Sequence, residues 1–191
     1  MEKQRCPWCL SSEKYIKYHD EEWGKPVHDD AVHFEFLVLE SAQAGLSWIT
    51  VLNKRENYRK SYDGFDVKKA AQYGPDKIKE LMANEGVIRN LKKIEASINN
   101  AVRFIEIQQE FGSFDKYIWN FTGFKPIVNK WKTLSELPPF SALSDNVARD
   151  MKKRGFKFLG STVMYAHLQA VGIINDHLID CFRYKQILKL S

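Results

Sequence analysis

The residues from Asp29 to Gly45, DDAVHFEFLVLESAQAG, constrain the fold more than any other segment. Asp29 and Asp30 are residues that start helices, Gly45 is one that stops them, and between them Phe34, Phe36, Leu37, Val38 and Leu39 leave almost no polar face. A helix that is apolar nearly all round has no side to give to water and must be wrapped by other elements. The segment therefore predicts the central helix of a folded core, running through AVHFEFLVLESAQA.

The rest of the chain offers helices to wrap it. Ser47 caps WITVLNKRENYRKSY, in which Trp48, Val51, Leu52 and Arg55 fall at i, i+3, i+4 and i+7. Asp66 caps VKKAAQY before Gly74, and Pro75 suits the first turn of DKIKELMAN, which stops at Gly86. A long amphipathic helix from Asn90 to Glu110 ends at Gly112. SFDKYIWNF, SDNVARDMKKR with Asp145 as its cap, and STVMYAHLQAV complete the set, while Thr122 to Phe140 is irregular. Strand alternation, a βαβ rhythm, internal repeats and Ser/Gly-rich linkers are all missing from the pattern. The expectation is an all-α fold in one domain over residues 1–191.

Hydrophobic residues make up 44% of the chain, yet no apolar run approaches the roughly 18 residues of a membrane span. The N-terminal MEKQRCPWCLSS has no apolar stretch behind its charges, so a signal peptide is not expected and the location is read as cytoplasmic, without a membrane. A net charge of +5 is compatible with a polyanionic partner and equally with a solvated surface. Three cysteines, an odd number placed at the two chain ends, argue against a disulfide framework and for thiols or metal ligands.

Four groups of residues have chemical potential. Cys6 and His19 near the start, with His177 and Cys181 four apart on one helical face, can supply two thiolates and two imidazoles to one tetrahedral ion, closed and therefore structural. The alternative is two buried histidines and small apolar cysteines. Cys9 makes CPWC, which looks like a thioredoxin redox motif but lacks the strand and parallel sheet that motif needs; it can still compete with Cys6 for a metal. Glu40, in the apolar helix, is a buried carboxylate that needs a donor or a cation or a raised pKa, either for a ligand or as a structural group. Trp8, Tyr15, Tyr18, Trp23 and Trp48 are dense enough to stack on a flat, cationic or electron-poor ligand, or to pack a core. The fourth group is for DNA phosphates. PDKIKELMAN, EGVIR and NLKKIEASINNA form a helix-hairpin-helix pattern over about 75–110 that turns at Gly86, and KKRGFK, with Lys153 and Arg154, adds positive charge. A plain αα-hairpin and a solvated basic run are the competing readings.

Six separated blocks, YHDEEWG (18–24), LESAQAGLSWITVL (39–52), NYR, GVIRNLKKI, KKRGFKFLGST and NDHLIDC, resemble the DNA-3-methyladenine glycosylase I family in order and spacing. These are the constitutive bacterial enzymes of the helix-hairpin-helix glycosylase superfamily. The resemblance runs over nearly the whole chain. It implies a structural zinc held by Cys6, His19, His177 and Cys181, joining the two chain ends. It also implies a base pocket in which Glu40 hydrogen-bonds the methylated adenine, Trp8 and Trp48 stack, Tyr15 and Tyr18 form walls and Trp23 contributes. Gly45 and Leu46 match a loop thought to probe the gap left by a flipped nucleotide. The superfamily's catalytic aspartate has no matching motif, and the lysine of its lyase members is not recognisable. The implied protein is a monofunctional, monomeric repair enzyme that acts on double-stranded alkylated DNA and releases 3-methyladenine. The rival reading is a non-enzymatic helix-hairpin-helix module that binds DNA and keeps the zinc.

Overall fold

The computed structural model describes residues 3–190, so Met1, Glu2 and Ser191, part of the expected domain and of the leader reading, lie outside the described residues. The chain forms helices α1 (Glu13–Glu21), α2 (Asp30–Gln43), α3 (Trp48–Ser61), α4 (Val67–Ala70), α5 (Pro75–Ala83), α6 (Leu91–Phe111), α7 (Phe114–Asn120), α8 (Ala142–Lys153), α9 (Ser161–Ala170) and α10 (Phe182–Ile187). Against the all-α expectation, the chain is mostly helical.

Helix α2 is the central helix. Every residue from His33 to Ala42 is buried, and α3, α6, α7 and α9 pack around it. Asp29 caps it by accepting from the Ala31 N–H at 2.8 Å. Asp30 works on a different helix: its carboxylate accepts from the backbone N–H groups of Phe114 and Asp115 at 2.9 and 2.8 Å and from Gln108. It thereby caps α7 and ties it to α2 and α6. Helix α6 ends where expected, at Gly112 in the left-handed region (φ 84°).

Four sequence expectations need correction. Helix α4 closes at Ala70 rather than running to Tyr73, because the chain tightens into a turn after it. Helix α8 starts earlier than Asp145: Ser141 is its cap, in a reciprocal box with Ser144, and Asp145 sits inside the first turn. A two-residue parallel pairing joins Ile127–Val128 to Ile174–Asn175, too short for alternation to reveal it. His177 and Cys181 do not share a helical face. They lie in a turn closed by the Cys181 N–H on the Leu178 carbonyl at 2.8 Å, and Cys181 precedes α10 as its cap residue.

The Phe182 N–H donates to the Gln4 carbonyl at 2.9 Å, joining the two ends of the chain. Among the described residues, no helix is long and apolar enough to cross a membrane.

Candidate active site and metal centre

Where α1, α2, α3 and α9 converge, they leave a cavity of about 210 Å³. A 3₁₀ turn at Pro7–Cys9 delivers Trp8, and α1 delivers Tyr15 and Tyr18 from one face, with Trp23 just beyond its end. The last turns of α2 bring Glu40 and Gln43, the first residue of α3 is Trp48, and α9 adds Ala166 and Gln169. Leu137, from the irregular segment, completes the lining. All five aromatic residues singled out in the sequence thus surround Glu40. They brace one another: Trp8 lies edge to face 5.0 Å from both Tyr15 and Trp23, and Tyr18 lies tilted 5.4 Å from Trp48.

Glu40 is 3% exposed, and its Oε2 has no hydrogen-bond partner. Burial alone pushes its carboxyl up to about 8, because no cation stands beside it to favour ionisation. Burial also raises both tyrosine hydroxyls, which stay protonated as neutral walls. The Trp48 indole N–H is likewise buried without a partner. Buried polar groups are nearly always satisfied, so two orphans in one aromatic cavity are poised for a ligand that satisfies them. The ligand that fits is flat, aromatic and positively charged or electron-poor.

Sequence reasoning missed Asp176. It is 1% exposed and accepts four hydrogen bonds, from Asn129, Trp131, Tyr165 and Gln169, at 2.6 to 2.7 Å. An acceptor-only carboxylate can take only the NH₂ end of Gln169, which fixes the orientation of that amide in the cavity wall. NDHLIDC holds two acids, Asp176 and Asp180, and no periodic signal marks which of them takes this role.

Beside the cavity, the ligand atoms of Cys6, His19, His177 and Cys181 all lie within 4.8 Å of one another, and all four residues are buried. Cys181 Sγ is 3.4 Å from His19 Nε2 and 3.6 Å from His177 Nδ1, and Cys6 Sγ is 3.8 Å from His177 Nδ1. With Zn–S near ~2.3 Å and Zn–N near ~2.0 Å, the S···N edge of a tetrahedron is about 3.5 Å, so the four donors fit one zinc ion. The outer ring nitrogens are also engaged: His19 Nδ1 donates to Asp20 at 2.8 Å, and His177 Nε2 donates to the Trp23 carbonyl at 3.1 Å. Such partners fix the tautomer that turns the other nitrogen inward. Arg5 in turn holds Asp20. Cys9 stands outside the cluster, with its thiol donating to the Cys6 carbonyl at 3.1 Å.

The Gly45–Leu46 turn follows the cavity residue Gln43. Gly45 has φ 80°, and Leu46 is 43% exposed. In the α5–α6 hairpin, a Cβ on Gly86 would meet Asn57 Cβ at 2.7 Å, and the Gly86 N–H donates to Asn84. Gly86 therefore serves close packing onto α3 rather than presenting its amide outward. The α8–α9 hairpin is the second such helix pair. Gly155 turns it at φ 88°, Gly160 begins α9 without a side-chain cap, and Lys152, Lys153 and Lys157 are exposed. Arg154 is already committed, to Glu110 and Asp150, and lies over the Phe111 and Tyr117 rings.

Comparisons with known proteins agree with this geometry. The methyladenine glycosylase family profile matches residues 8–184. DNA-3-methyladenine glycosylase 1 of Escherichia coli is 43% identical over 181 residues, covering 95% of this chain and 97% of that protein. DNA-3-methyladenine glycosylase of Haemophilus influenzae is 45% identical over 177 residues, covering 93% and 96%. A crystal structure of 3-methyladenine DNA glycosylase I (TAG) superposes with a TM-score of 0.91 at 43% identity, covering 94% of this chain and 98% of that one. With a matching profile over most of its length and relatives this similar end to end, the chain belongs to the methyladenine glycosylase family.

Proposed function

We propose that the protein excises 3-methyladenine from double-stranded DNA by hydrolysing the N-glycosidic bond of a flipped nucleotide, without cleaving the strand. The observation that carries this reading is Glu40, a buried and unpartnered carboxyl at an aromatic cavity. A DNA-binding module without activity has no use for such a group. Methylation at N3 gives adenine a positive charge. That charge supplies the cation that the cavity's own side chains do not, favouring the Glu40 carboxylate on binding and drawing the ring between indole faces. Neutral adenine brings no such charge, which is how the site tells the two apart.

Because the base is already cationic, the C1′–N9 bond breaks with its electron pair going to the base, which leaves neutral. Water then bonds to C1′ and loses its proton to solvent. The protein's part is to extract the nucleotide, hold the base and exclude normal purines, with Glu40 lending modest charge stabilisation to the oxocarbenium-like sugar. Among the described residues, no lysine lines the cavity, which supports hydrolysis by water rather than a Schiff-base lyase step. Asp145 does not line it either.

Cys6, His19, His177 and Cys181 are read as holding a structural zinc, which when bound clamps the chain ends and takes no part in the reaction. Gly45 and Leu46 are read as entering the gap in the duplex. The phosphate contact is moved from the α5–α6 hairpin and Gly86 to the α8–α9 hairpin, through Lys153, Lys157 and the uncapped start of α9. A monomer in the cytoplasm completes the reading. Incubating the protein with a duplex carrying one 3-methyladenine, and running it on a denaturing gel with and without hot alkali, tests the reaction class. Breaks only after alkali are expected; breaks without alkali contradict the monofunctional assignment.

A further inference from the structure

Lys93, in the first turn of α6, reaches across to α2. Its Nζ donates to the carbonyls of Ala42 at 2.8 Å and Ala44 at 2.6 Å. Helix α2 ends at Gln43, so these carbonyls belong to the group a helix leaves without internal partners. The carbonyl between them, of Gln43, accepts from the Leu46 N–H at 2.6 Å. Ammonium and amide together close the end of α2, and a cation at this position also complements the helix dipole. None of the ion pairs among the described residues includes Lys93. Its own helix start is fixed by Asn90, which accepts from the Lys93 N–H at 3.2 Å.

What Lys93 grips is the short stretch between the base cavity and the exposed Gly45–Leu46 turn. Gly45 imposes no restraint of its own: it is in the left-handed region, and nothing lies within 4 Å of where its Cβ would stand. The direction in which Leu46 points therefore depends on how the carbonyls before it are held. Glu40 lies further back in α2, inside the packed core.

We propose that Lys93 is a positioning residue for excision from duplex DNA: by holding the Ala42 and Ala44 carbonyls it aims the Gly45–Leu46 turn at the duplex, leaving recognition of the free base untouched. The proposal rests on the glycosylase reading above, in which that turn meets the DNA. Misplacing such an element by about 1 Å is enough to cost on the order of 100-fold in rate.

The test compares wild type, Lys93→Met, which keeps the apolar stem but loses the ammonium, and Lys93→Arg, which can again donate to both carbonyls. Three quantities are measured: binding of free 3-methyladenine by tryptophan fluorescence, single-turnover excision from methylated duplex, and the salt dependence of binding to that duplex. For Lys93→Met the expected result is free-base affinity within about twofold of wild type, excision slowed by ~30-fold or more, an unchanged salt slope, and substantial rescue in Lys93→Arg. A salt slope smaller by about one in Lys93→Met means the ammonium sits on a phosphate and overturns the proposal. Equal losses in free-base binding and excision, or normal excision, overturn it too. A wild-type protein that releases no base overturns the functional reading beneath it, a separate failure from an active wild type that tolerates Lys93→Met.

Discussion

His177 Nε2 donates to the carbonyl of Trp23 at 3.1 Å, so the residue whose other ring nitrogen faces Cys6 and Cys181 also fixes a wall of the base cavity. Trp8 makes the same link from the other side, lying between Cys6 and Cys9 with its ring 5.3 Å from His19. The four-ligand cluster and the cavity are thus one packed unit.

If these four residues hold the proposed structural zinc, its removal is expected to damage binding although the proposed reaction does not use it. Chelation of the metal-loaded protein, or Cys181→Ser, should lower the melting temperature by on the order of 10 °C. It should also weaken free 3-methyladenine binding at least tenfold. Thermal denaturation by circular dichroism and a fluorescence titration check this; a metal-free protein that binds the base normally contradicts it.

Glu40 gives the stability a pH dependence of unusual sign. Its carboxyl titrates near 8 in the folded protein against an ordinary 4.5, so the unfolded chain loses its proton first. Stability falls as pH rises from about 4.5 to about 8 and is flat above, with an upper bound of about 5 kcal/mol from this one group. Glu40→Gln removes the effect. Its melting temperature relative to wild type should therefore be higher at pH 8 than at pH 5, by several degrees, even as base binding weakens. A difference independent of pH contradicts the burial of an unpaired carboxyl.

Arg55 is a buried cation of the core. It donates to Glu35 at 2.7 Å and Glu22 at 2.6 Å and lies over the Phe36 ring, which is itself stacked towards Trp48. Arg55→Met leaves Glu35 buried with only Arg59 as partner and should cost about 3 kcal/mol, measured by urea unfolding. Adding Glu35→Gln should recover part of that loss, because the stranded charge goes with it.

On the α8–α9 hairpin, Lys153→Ala and Lys157→Ala should each reduce the slope of log K against log salt by about 0.9 for binding to any duplex. Arg154→Ala should leave the slope alone and lower the melting temperature slightly, since its guanidinium already serves Glu110 and Asp150. A slope change in Arg154→Ala alone would place the phosphate contact where the ion pairs now are.

The central helix and the long α6 are legible because caps, glycine stops and helical period act locally and leave a pattern, whereas the gathering of the aromatic residues around Glu40 is implied by the family resemblance. His177 and Cys181 pair through a turn, not through a shared helical face. Their spacing of four suits a helix, but a turn brings them together, and spacing alone does not distinguish the two. Asp30, Lys93 and Asp176 were not legible: each acts on an element far away in sequence, capping α7, closing α2 or holding Gln169. The hairpin at Gly86 looked outward-facing in sequence because nothing there announces that Asn57 occupies the space beside it.

The most direct test is chromatography of the free bases released from DNA treated with a methylating agent, with wild type beside Glu40→Gln. The account predicts that wild type releases 3-methyladenine with little 7-methylguanine, and that Glu40→Gln does so at least tenfold more slowly. Equal release by the two proteins would remove Glu40 from the site, and no release by a folded, metal-loaded wild type would contradict the glycosylase assignment itself.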